Sequence, residues 1–507
     1  AHTFDIELDE LGYAKTSVFD PVDTSRPGVF VCGALEGPKD IPDTVAQASA
    51  AAARAEAIVA TARGTETSPV ELPEEKDILV EEVKIGVFVC HCGINIGSVV
   101  DVPDVVEYAK DLPGVAYAEH NLYTCSQDTQ DNIKERIREL GLNRVVVASC
   151  TPRTHEPLFQ NTISEAALNP HLFDLASLRE HVSWVHQADH DAATRKAKRL
   201  VAMSVDKVRH SIPVHKEPSA VEPTGLVVGG GPAGMAAALA LADQGLRAFL
   251  VERQDHLGGN LIRLPHLMED EDPKKALEDM LTRVEADEDI EILMSSELVD
   301  LSGVIGNFDV TIRTPEGDRT IHVGAIIVAT GAYELEPEGE YLFGKDPRVM
   351  TAIQAGEALD RGDFPDEGPV AFVHCVGSRI PEREYCSRVC CSTALKNAIH
   401  IKERSPDREV IMFYRDLRTY GHRELAYRQA REMGIQFVRF DSDNPPVLSK
   451  DGKDLSMEWV DLVARKRMKR RMGTVVLAAA TLPYEDSHEM GSLLKVPLTE
   501  HGYFLEA

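Results

Sequence analysis

The chain has 507 residues and a formal net charge of −29, from 83 acidic and 54 basic side chains. Its 43% hydrophobic and 27% charged residues are ordinary for a globular protein, and its length predicts about two to four domains, because single hydrophobic cores stop growing at roughly 250–300 residues. The acidity argues against nucleic-acid binding, which needs clustered Lys and Arg, and the absence of a signal peptide or of an apolar run of roughly 20 residues predicts a cytoplasmic protein without a membrane span.

Residues 1–60 form a first segment that a polar linker follows. The apolar run at residues 29–33 predicts a strand, and the Ala-rich run after it predicts a helix with one buried face. Residues 61–82 contain two prolines and an acidic bias, which is typical of a linker.

Residues 83–215 predict a small α/β domain with a helical extension. Three strand-like runs end in cysteine, at Cys90, Cys125 and Cys150. If the sheet is parallel, these ends share one edge, where open α/β sheets bind ligands. Residues 151–215 look largely helical and basic, and we expect the basic face around residues 195–209 to be solvated or to dock an acidic neighbouring subunit.

Residues 216–507 alternate strands and helices in the manner of dinucleotide-binding domains. The run VVGGGPAGMAAAL follows an apolar strand and opens a helix. In such a turn Gly229 permits a tight bend, Gly231 lets the backbone approach a pyrophosphate, and Gly234 lets helix and strand pack closely. The helix N-terminus stabilises the phosphate charge, and Glu252 at the end of the next strand would hold a ribose hydroxyl.

The dinucleotide is predicted to be FAD rather than NAD, because the run RQDHLGGNLIR after Glu252 fits a loop that approaches the flavin. The run ATG at residues 329–331 is the second usual element of flavoproteins that bind two dinucleotides. The cofactor-binding residues predicted in this region are Gly229, Gly231, Pro232, Ala233, Gly234, Glu252, Arg253, Gly259, Asn260, Thr330 and Gly331.

Four of the nine cysteines, Cys375, Cys386, Cys390 and Cys391, lie within seventeen residues. They follow the strand after which a pyridine-nucleotide disulfide reductase would carry its second glycine fingerprint, and no such fingerprint occurs there. Cys375 is predicted to end a strand, Cys386 to lie in a loop, and the adjacent pair to begin a helix whose N-terminus stabilises thiolate charge. Four thiolates suit a [4Fe–4S] cluster, while zinc and metal-free thiols are the alternatives.

The residues just described carry a family resemblance. The chain resembles the flavin-containing A subunit of heterodisulfide reductase and its relatives in sulfate reducers and aromatic-ring-reducing anaerobes. The matching runs, which cover nearly the whole chain, are GVFVCHCGINI, YTCSQDTQ, VVASCTPRTHEPLFQ, VVGGGPAGMAAAL, YCSRVCCSTALKNA and GALEGPKDIPDTVAQASAAAA.

The resemblance implies an α/β protein in which a small N-terminal domain precedes a thioredoxin-reductase-like FAD domain with Rossmann-type sheets. It implies FAD and a [4Fe–4S] cluster at Cys375, Cys386, Cys390 and Cys391, and electron splitting at the flavin as in methanogens. The implied partners are iron–sulfur subunits and hydrogenase- or ferredoxin-linked subunits, around a homodimeric core. The family's ferredoxin-like C-x2-C-x2-C-x3-C modules do not occur in this sequence.

Residues 11–55 look like the segment that closes a flavin domain, and the chain stops before such a segment at its other end. A short echo relates the two ends, LGY at residues 11–13 and HGY at residues 501–503. The chain is therefore either a slice of a tandem repeat or a domain whose ends meet in space. The flavin-binding residues expected in the closing segment are Gly33, Pro38, Lys39, Asp40 and Ile41.

Several further residues have both a functional and a structural interpretation. Cys90, Cys92, Cys125 and Cys150 could ligate a second cluster or line an electron path, or simply be small buried residues at strand ends. We expect Cys32 to lie in the core. His155 either approaches a cofactor or caps a loop, and the run at residues 418–421, with Arg418, Tyr420 and Gly421, could contact the flavin or a partner.

These features favour an oxidoreductase that relays electrons between FAD and an iron–sulfur cluster. A stand-alone NAD(P)H- or thiol-dependent flavin disulfide reductase is the second hypothesis, although it requires a second glycine fingerprint and a redox cysteine pair. A protein without cofactors that only holds its partner subunits together is the third.

Overall fold

The structure is a computed structural model that describes residues 3–505 except 69, 70, 216, 218 and 270, so part of the predicted linker lies outside the described residues. It divides into two compact units, which we call the small unit (Glu66–Ser219) and the large unit (Ala1–Thr65 with Ala220–Ala507). In the part of the chain that is described, no helix combines the length and the apolar character needed to cross a bilayer.

Helix α1 (Ile41–Val59) is the main element of the N-terminal segment, and Asp40 caps it by accepting a hydrogen bond from the backbone of Asp43. The predicted buried face is wrong: the buried residue of α1 is Gln47, while Ile41 is 80% exposed. The strand predicted at residues 29–33 is also wrong, because Phe30 forms only an isolated bridge with Asp23. Cys32 is exposed, which contradicts its predicted core position.

The small unit has one sheet, in the order β2-β1-β3-β4, and all its pairings are parallel. Its core strands β1 and β3 are buried at every position, as expected for a parallel sheet covered on both faces. The elements are β1 (Ile85–Cys90), α2 (Ile94–Gly97), α3 (Val102–Lys110), β2 (Val115–Asn121), α4 (Gln127–Leu140), β3 (Arg144–Ser149), α5 (Pro152–Ser164), β4 (Phe173–Ser177) and α6 (His190–Arg209).

Two expectations for the small unit need correction. Strand β2 ends at Asn121, so Cys125 lies in the following turn instead of at the strand end, whereas Cys90 ends β1 and Cys150 directly follows β3. Strand β4 interrupts the stretch that we expected to be helical. Its five residues are too few for the apolar pattern to separate a strand from a helix.

The first half of the large unit pairs a parallel sheet, β11-β5-β6-β7, with an antiparallel sheet, β10-β9-β8. Helix α7 begins at the glycine turn after β5, and α1 packs beside it. The elements are β5 (Thr224–Val228), α7 (Pro232–Ala242), β6 (Arg247–Val251), α8 (Pro273–Ala286), β7 (Ile290–Leu293), β8 (Glu297–Val304), β9 (Asn307–Thr314), β10 (Gly317–Val323) and β11 (Ala325–Val328).

The second half of the large unit is built on a parallel sheet, β13-β20-β14-β15-β16. One face packs against helices α9 and α10, and the other against the antiparallel sheet β17-β18-β19. The elements are β12 (Tyr333–Glu334), β13 (Val349–Thr351), α9 (Ala352–Arg361), β14 (Val370–Val376), α10 (Cys390–Arg404), β15 (Val410–Tyr414), α11 (Arg423–Glu432), β16 (Gln436–Arg439), β17 (Val447–Asp451), β18 (Asp454–Asp461), β19 (Lys466–Met472), β20 (Thr474–Ala479), β21 (Thr481–Leu482) and α12 (Ser487–Leu494). The parallel Rossmann-type sheets predicted from the sequence are confirmed.

The sequence echo between the chain ends forms the same turn twice. Leu8 bridges Ala14, and Leu498 bridges Phe504, each across a glycine with φ near +85° (+87° at Gly12, +84° at Gly502). The N-terminal segment and the C-terminal segment belong to one compact unit.

Candidate functional site

The glycine turn between β5 and α7 is packed too closely for side chains at two positions. A Cβ at Gly229, where φ is +112°, would lie 2.3 Å from the carbonyl oxygen of Ala329, and a Cβ at Gly234 would lie 1.8 Å from that of Gly229. A Cβ at Gly231 would meet nothing within 4 Å. The turn is therefore closed on its inner side and open at the N-terminus of α7, as a phosphate cradle requires.

Glu252, directly after β6, holds this turn in place. Its carboxylate accepts hydrogen bonds from the backbone N–H of Gly230 at 2.6 Å and of Gln254 at 2.8 Å. Each carboxylate oxygen has a second lone pair. The side chain thus has acceptor capacity left for a ribose hydroxyl.

The run after β6 returns to the glycine turn. The N–H of Gly258 donates to the carbonyl of Gly230 at 2.8 Å, and a Cβ at Gly259 would lie 3.1 Å from the Cα of Gly231. The amide of Asn260 donates to the carbonyl of Ala332 at 2.6 Å, which brings Asn260 next to Thr330 and Gly331. The structure thus brings the predicted residues of the glycine turn, of this run and of the ATG run together.

Arg253 is engaged elsewhere. Its guanidinium lies 4.0 Å from the centre of the Tyr484 ring and forms an ion pair with Asp486 at 3.1 Å. A contact between Arg253 and the cofactor therefore stays a prediction.

The expected flavin-binding residues of the closing segment (residues 11–55) lie around the start of α1. The N–H of Gly33, with φ +69°, donates to the Gln47 amide oxygen at 2.8 Å, and the Lys39 ammonium donates to the same oxygen at 2.6 Å. Near the other end of α1, Arg54 forms an ion pair with Asp243 at the end of α7. These contacts fix α1 beside the helix that begins at the glycine turn.

The Cys375–Cys391 run has the local structure predicted for it. Cys375 lies at the end of β14, with φ +60° and an irregular register against β20, while Cys390 and Cys391 are the first, buried residues of α10. Cys386 lies in the loop between them and accepts a hydrogen bond from the backbone N–H of Arg388 at 3.5 Å.

The adjacent thiols behave as a coupled pair. A hydrogen bond between them lowers the pKa of Cys391 and raises that of Cys390, and burial and the thiols of Cys375 and Cys386 raise the latter further. Burial first, and then Cys391, raise the pKa of Cys375. The pair thus favours the state in which only Cys391 is a thiolate over the state in which both cysteines are thiolates.

The donor chemistry of the four cysteines fits an iron–sulfur cluster, and each of the other three thiols raises the pKa of Cys390. They are not a preformed metal site: among the described residues, no three His, Cys, Asp or Glu side chains converge closely enough to hold a metal ion. Binding would have to draw the thiolates together.

Sequence reasoning missed two polar residues on the elements that carry these cysteines, the buried His374 on β14 and the half-buried Lys396 on α10. His374 is 1% exposed, and, after the hydrogen bond with Cys390, it contributes to the lowered pKa of Cys391. Lys396 lies on α10, and burial lowers its pKa to about 8. Neither residue stands in a recognisable motif, so only the packing of α10 reveals them.

The cysteines of the small unit gather at the carboxyl edge of its parallel sheet. Cys90 accepts hydrogen bonds from the backbone N–H of Cys92 at 3.2 Å and of Thr124 at 3.3 Å. Arg179 and Cys92 approach within 3.8 Å. Burial first, and then Cys90, raise the pKa of Cys125. The structural interpretation, small buried residues at strand ends, fits the burial of Cys90 and Cys150, but Cys125 is exposed.

The secondary candidates have local partners. His155 lies on α5, with its Nδ1 3.2 Å from the sulfur of Cys150. Tyr420 accepts a hydrogen bond from Arg388 at 2.7 Å, and a Cβ at Gly421 would lie 2.9 Å from the carbonyl oxygen of Pro38. The run at residues 418–421 thus contacts the cysteine loop and the closing segment of the same unit.

Comparison with known proteins supports the class of protein. A family model described as "Pyridine nucleotide-disulphide oxidoreductase" matches residues 224–367. Among solved structures, the thioredoxin reductases of Lactococcus lactis and T. acidophilum are 18% and 17% identical to the chain, with TM-scores of 0.40 and 0.38; each match covers 56% of this chain and 84% of the other. Together with the glycine turn and the parallel sheets, the family match defines a flavin-dependent oxidoreductase.

The most informative relatives are curated proteins. The A subunit of the H(2):CoB-CoM heterodisulfide,ferredoxin reductase of Methanothermobacter marburgensis is 33% identical, over 86% of this chain and 80% of that protein. An iron-sulfur A subunit of the CoB--CoM heterodisulfide reductase of Methanopyrus kandleri is 32% identical, over 84% and 78%. The chain belongs to the family of heterodisulfide reductase A subunits, as its resemblance implied.

Proposed function

We propose that this chain is the flavin and iron–sulfur electron-transfer subunit of a multi-subunit heterodisulfide reductase-type complex, and that it passes electrons between FAD and a [4Fe–4S] cluster. The observation that carries the proposal is the position of the four thiols. Cys375 lies near the carboxyl end of β14, Cys386 in the following loop, and Cys390 and Cys391 at the start of α10. The M. kandleri relative is named an iron–sulfur subunit.

The flavin would be held by the glycine turn, by Glu252 and by the closing segment. The N-terminus of α7 would stabilise the pyrophosphate charge, because a Cβ at Gly231 would meet nothing within 4 Å and this leaves space for a phosphate there. Gly33 and the residues Pro38, Lys39, Asp40 and Ile41 would close the site from the side of α1. When bound, FAD supplies the exchange between two-electron and one-electron transfer.

The cluster would be held by Cys375, Cys386, Cys390 and Cys391. Arg379 and Arg415 lower the pKa of Cys375 against the larger effect of burial, so they favour the thiolate that ligation requires. The exclusion of water around α10 and hydrogen bonds to the sulfurs would set the potential of the cluster.

One anaerobic purification separates the three hypotheses. We expect a coloured protein with one FAD and about four iron and four sulfide per cluster. Rapid flavin reduction by NAD(P)H alone would favour the stand-alone reductase, a colourless protein without iron would favour the scaffold, and zinc or metal-free thiols would refute the cluster.

The ligand assignment has a matched control within the chain. Cys390→Ala removes a buried thiol of the run, whereas Cys32→Ala removes an exposed thiol elsewhere in the same unit. We expect the first substitution to lower iron content with FAD retained, and the second to change neither. Unchanged iron in Cys390→Ala would overturn the assignment.

We propose a second cluster at Cys90, Cys92, Cys125 and Cys150. Support comes from their shared sheet edge and from the mutual effects on thiol pKa. Alkylation tests the proposal, because Cys125 and Cys32 are both exposed. Loading with iron and sulfide should protect Cys125 from iodoacetamide and leave Cys32 reactive, and equal reactivity would refute this second site.

The partners proposed are the iron–sulfur subunits and the hydrogenase- or ferredoxin-linked subunits of such a complex, around a homodimer of this chain. The name of the M. marburgensis relative gives both a heterodisulfide and ferredoxin as reactants. We extend the proposal to flavin-based bifurcation. In the assembled complex, ferredoxin reduction should then require the heterodisulfide, and ferredoxin reduction without it would refute bifurcation.

A further inference from the structure

The turn segment Arg418–His422 has no role in the proposed function, yet it joins the two sites of the large unit. On one side it contacts the cysteine loop: the Tyr420 hydroxyl accepts a hydrogen bond from Arg388 at 2.7 Å, and the backbone of Arg418 contributes to the lowered pKa of Cys391. On the other side it contacts the closing segment through Gly421 and His422.

The contacts with the closing segment are close. A Cβ at Gly421, where φ is +67°, would lie 2.9 Å from the carbonyl oxygen of Pro38, and a Cβ at Gly37 would lie 2.7 Å from Nε2 of His422. The His422 ring also meets the Tyr13 ring edge-on, with 5.1 Å between centroids. The turn and the closing segment are therefore in direct contact, so a displacement of one would press on the other.

Arg388 makes a second connection between the same parts. It stands between Cys386 and Cys390 in a left-handed conformation, with φ +61°, and its backbone N–H donates to Cys386. Its guanidinium lies 3.3 Å from a carboxylate oxygen of Asp43 and 3.5 Å from one of Asp40, which caps α1. One side chain thus connects the cysteine loop to the start of α1.

We propose that Arg388 and Tyr420 are positioning residues that couple flavin binding to cluster assembly, so that each cofactor raises the affinity for the other. This inference rests on the proposed function, because it requires the closing segment to contact FAD. A coupling of this kind is reciprocal by thermodynamic necessity. Because the ion pairs are half exposed, the expected coupling is at the low end of typical values, about fivefold.

The first experiment measures the dissociation constant of FAD with and without the reconstituted cluster. In the wild type, FAD should bind about fivefold more tightly to the cluster-loaded protein. The ratio of the two dissociation constants should fall to about one in Arg388→Gln and in Tyr420→Phe, which keeps the aromatic ring. In these variants the visible circular dichroism of the cluster should no longer change when FAD is added. Arg428→Gln, which removes an exposed pair with Glu432 on α11, is the control and should keep the wild-type ratio.

The second experiment needs no iron. In the metal-free protein, FAD should slow the alkylation of Cys386 by iodoacetamide about fivefold, and Arg388→Gln and Tyr420→Phe should abolish this protection. Equal FAD affinities in the two wild-type forms, absent protection of Cys386, or couplings that survive both substitutions would overturn the inference. A protein that shows protection but takes up no iron would instead refute the cluster and leave the coupling between flavin and thiols in place.

Discussion

Gly234→Ala is the sharpest test of the glycine turn, because the structure leaves no room for one methyl group. The new Cβ would lie 1.8 Å from the carbonyl oxygen of Gly229, whereas ordinary contacts begin near 3.4 Å, so α7 and the turn would have to separate by roughly 1.6 Å. Overpacking of this kind costs about 1–3 kcal/mol in the free energy of unfolding.

The separation also affects cofactor binding. It moves the N-terminus of α7 away from the phosphate, an interaction worth up to about 2 kcal/mol, so FAD should bind roughly 10–30-fold more weakly. For Gly234→Ala we expect a lower free energy of unfolding, measured by urea denaturation of the apoprotein, and a lower affinity for FAD, measured by fluorescence titration.

Gly231→Ala is the matched control. Its Cβ meets nothing within 4 Å, and a φ of −74° suits alanine, so the apoprotein should keep its stability within about 1 kcal/mol. Because the methyl group would enter the space assigned to the phosphate, FAD should still bind at least about tenfold more weakly. Wild-type FAD affinity in Gly231→Ala would refute the position of the phosphate, and an unaffected Gly234→Ala would refute the close packing.

Three further predictions concern the large unit. Burial raises the pKa of Glu334 to about 7, so the free energy of unfolding should fall by roughly 1–3 kcal/mol as pH rises from about 4.5 to 7. If the urea midpoint of a Glu334→Gln protein falls equally over this pH range, the prediction is contradicted. Burial lowers the pKa of Lys396 to about 8, so stability should rise as pH increases from about 8 to 10.5, and Lys396→Met should flatten that rise in the same assay. Arg54→Ala removes the ion pair between α1 and Asp243, which should lower the free energy of unfolding of the large unit by about 0.5–1 kcal/mol. FAD release, measured by stopped-flow fluorescence, should also become faster. Unchanged release would show that α1 does not close the site.

Local features of the site were predictable from the sequence. The glycine turn is one, because Gly229 and Gly234 occupy positions where a Cβ would collide with backbone, and only glycine allows this. The start of α10 at Cys390 is another. The contact between Gly234 and Gly229 and the start of α10 depend on residues near in sequence, which leave a readable pattern of residue types, whereas the contact of Gly229 with Ala329 joins distant parts of the chain.

The errors lie where short or exposed segments meet distant parts of the chain. Strand β4 has five residues, and Cys125 lies beyond its predicted strand. Cys32 and the apolar residues of α1 were expected in a core, but Cys32 and Ile41 are exposed and the buried residue of α1 is Gln47. An apolar pattern shows that a face can be buried; it does not show which partner covers it.

By itself the sequence determined the family, the parallel sheets, the glycine turn and the order of the cysteines along the chain. Only the tertiary structure decided that the turn at residues 418–422 touches both the closing segment and the cysteine loop, and that the four thiols are near one another without forming a ready metal site among the described residues. The physical reason is that backbone constraints are local and written in residue types, whereas the meeting of Arg388, Tyr420 and Asp43 depends on how whole sheets and helices pack.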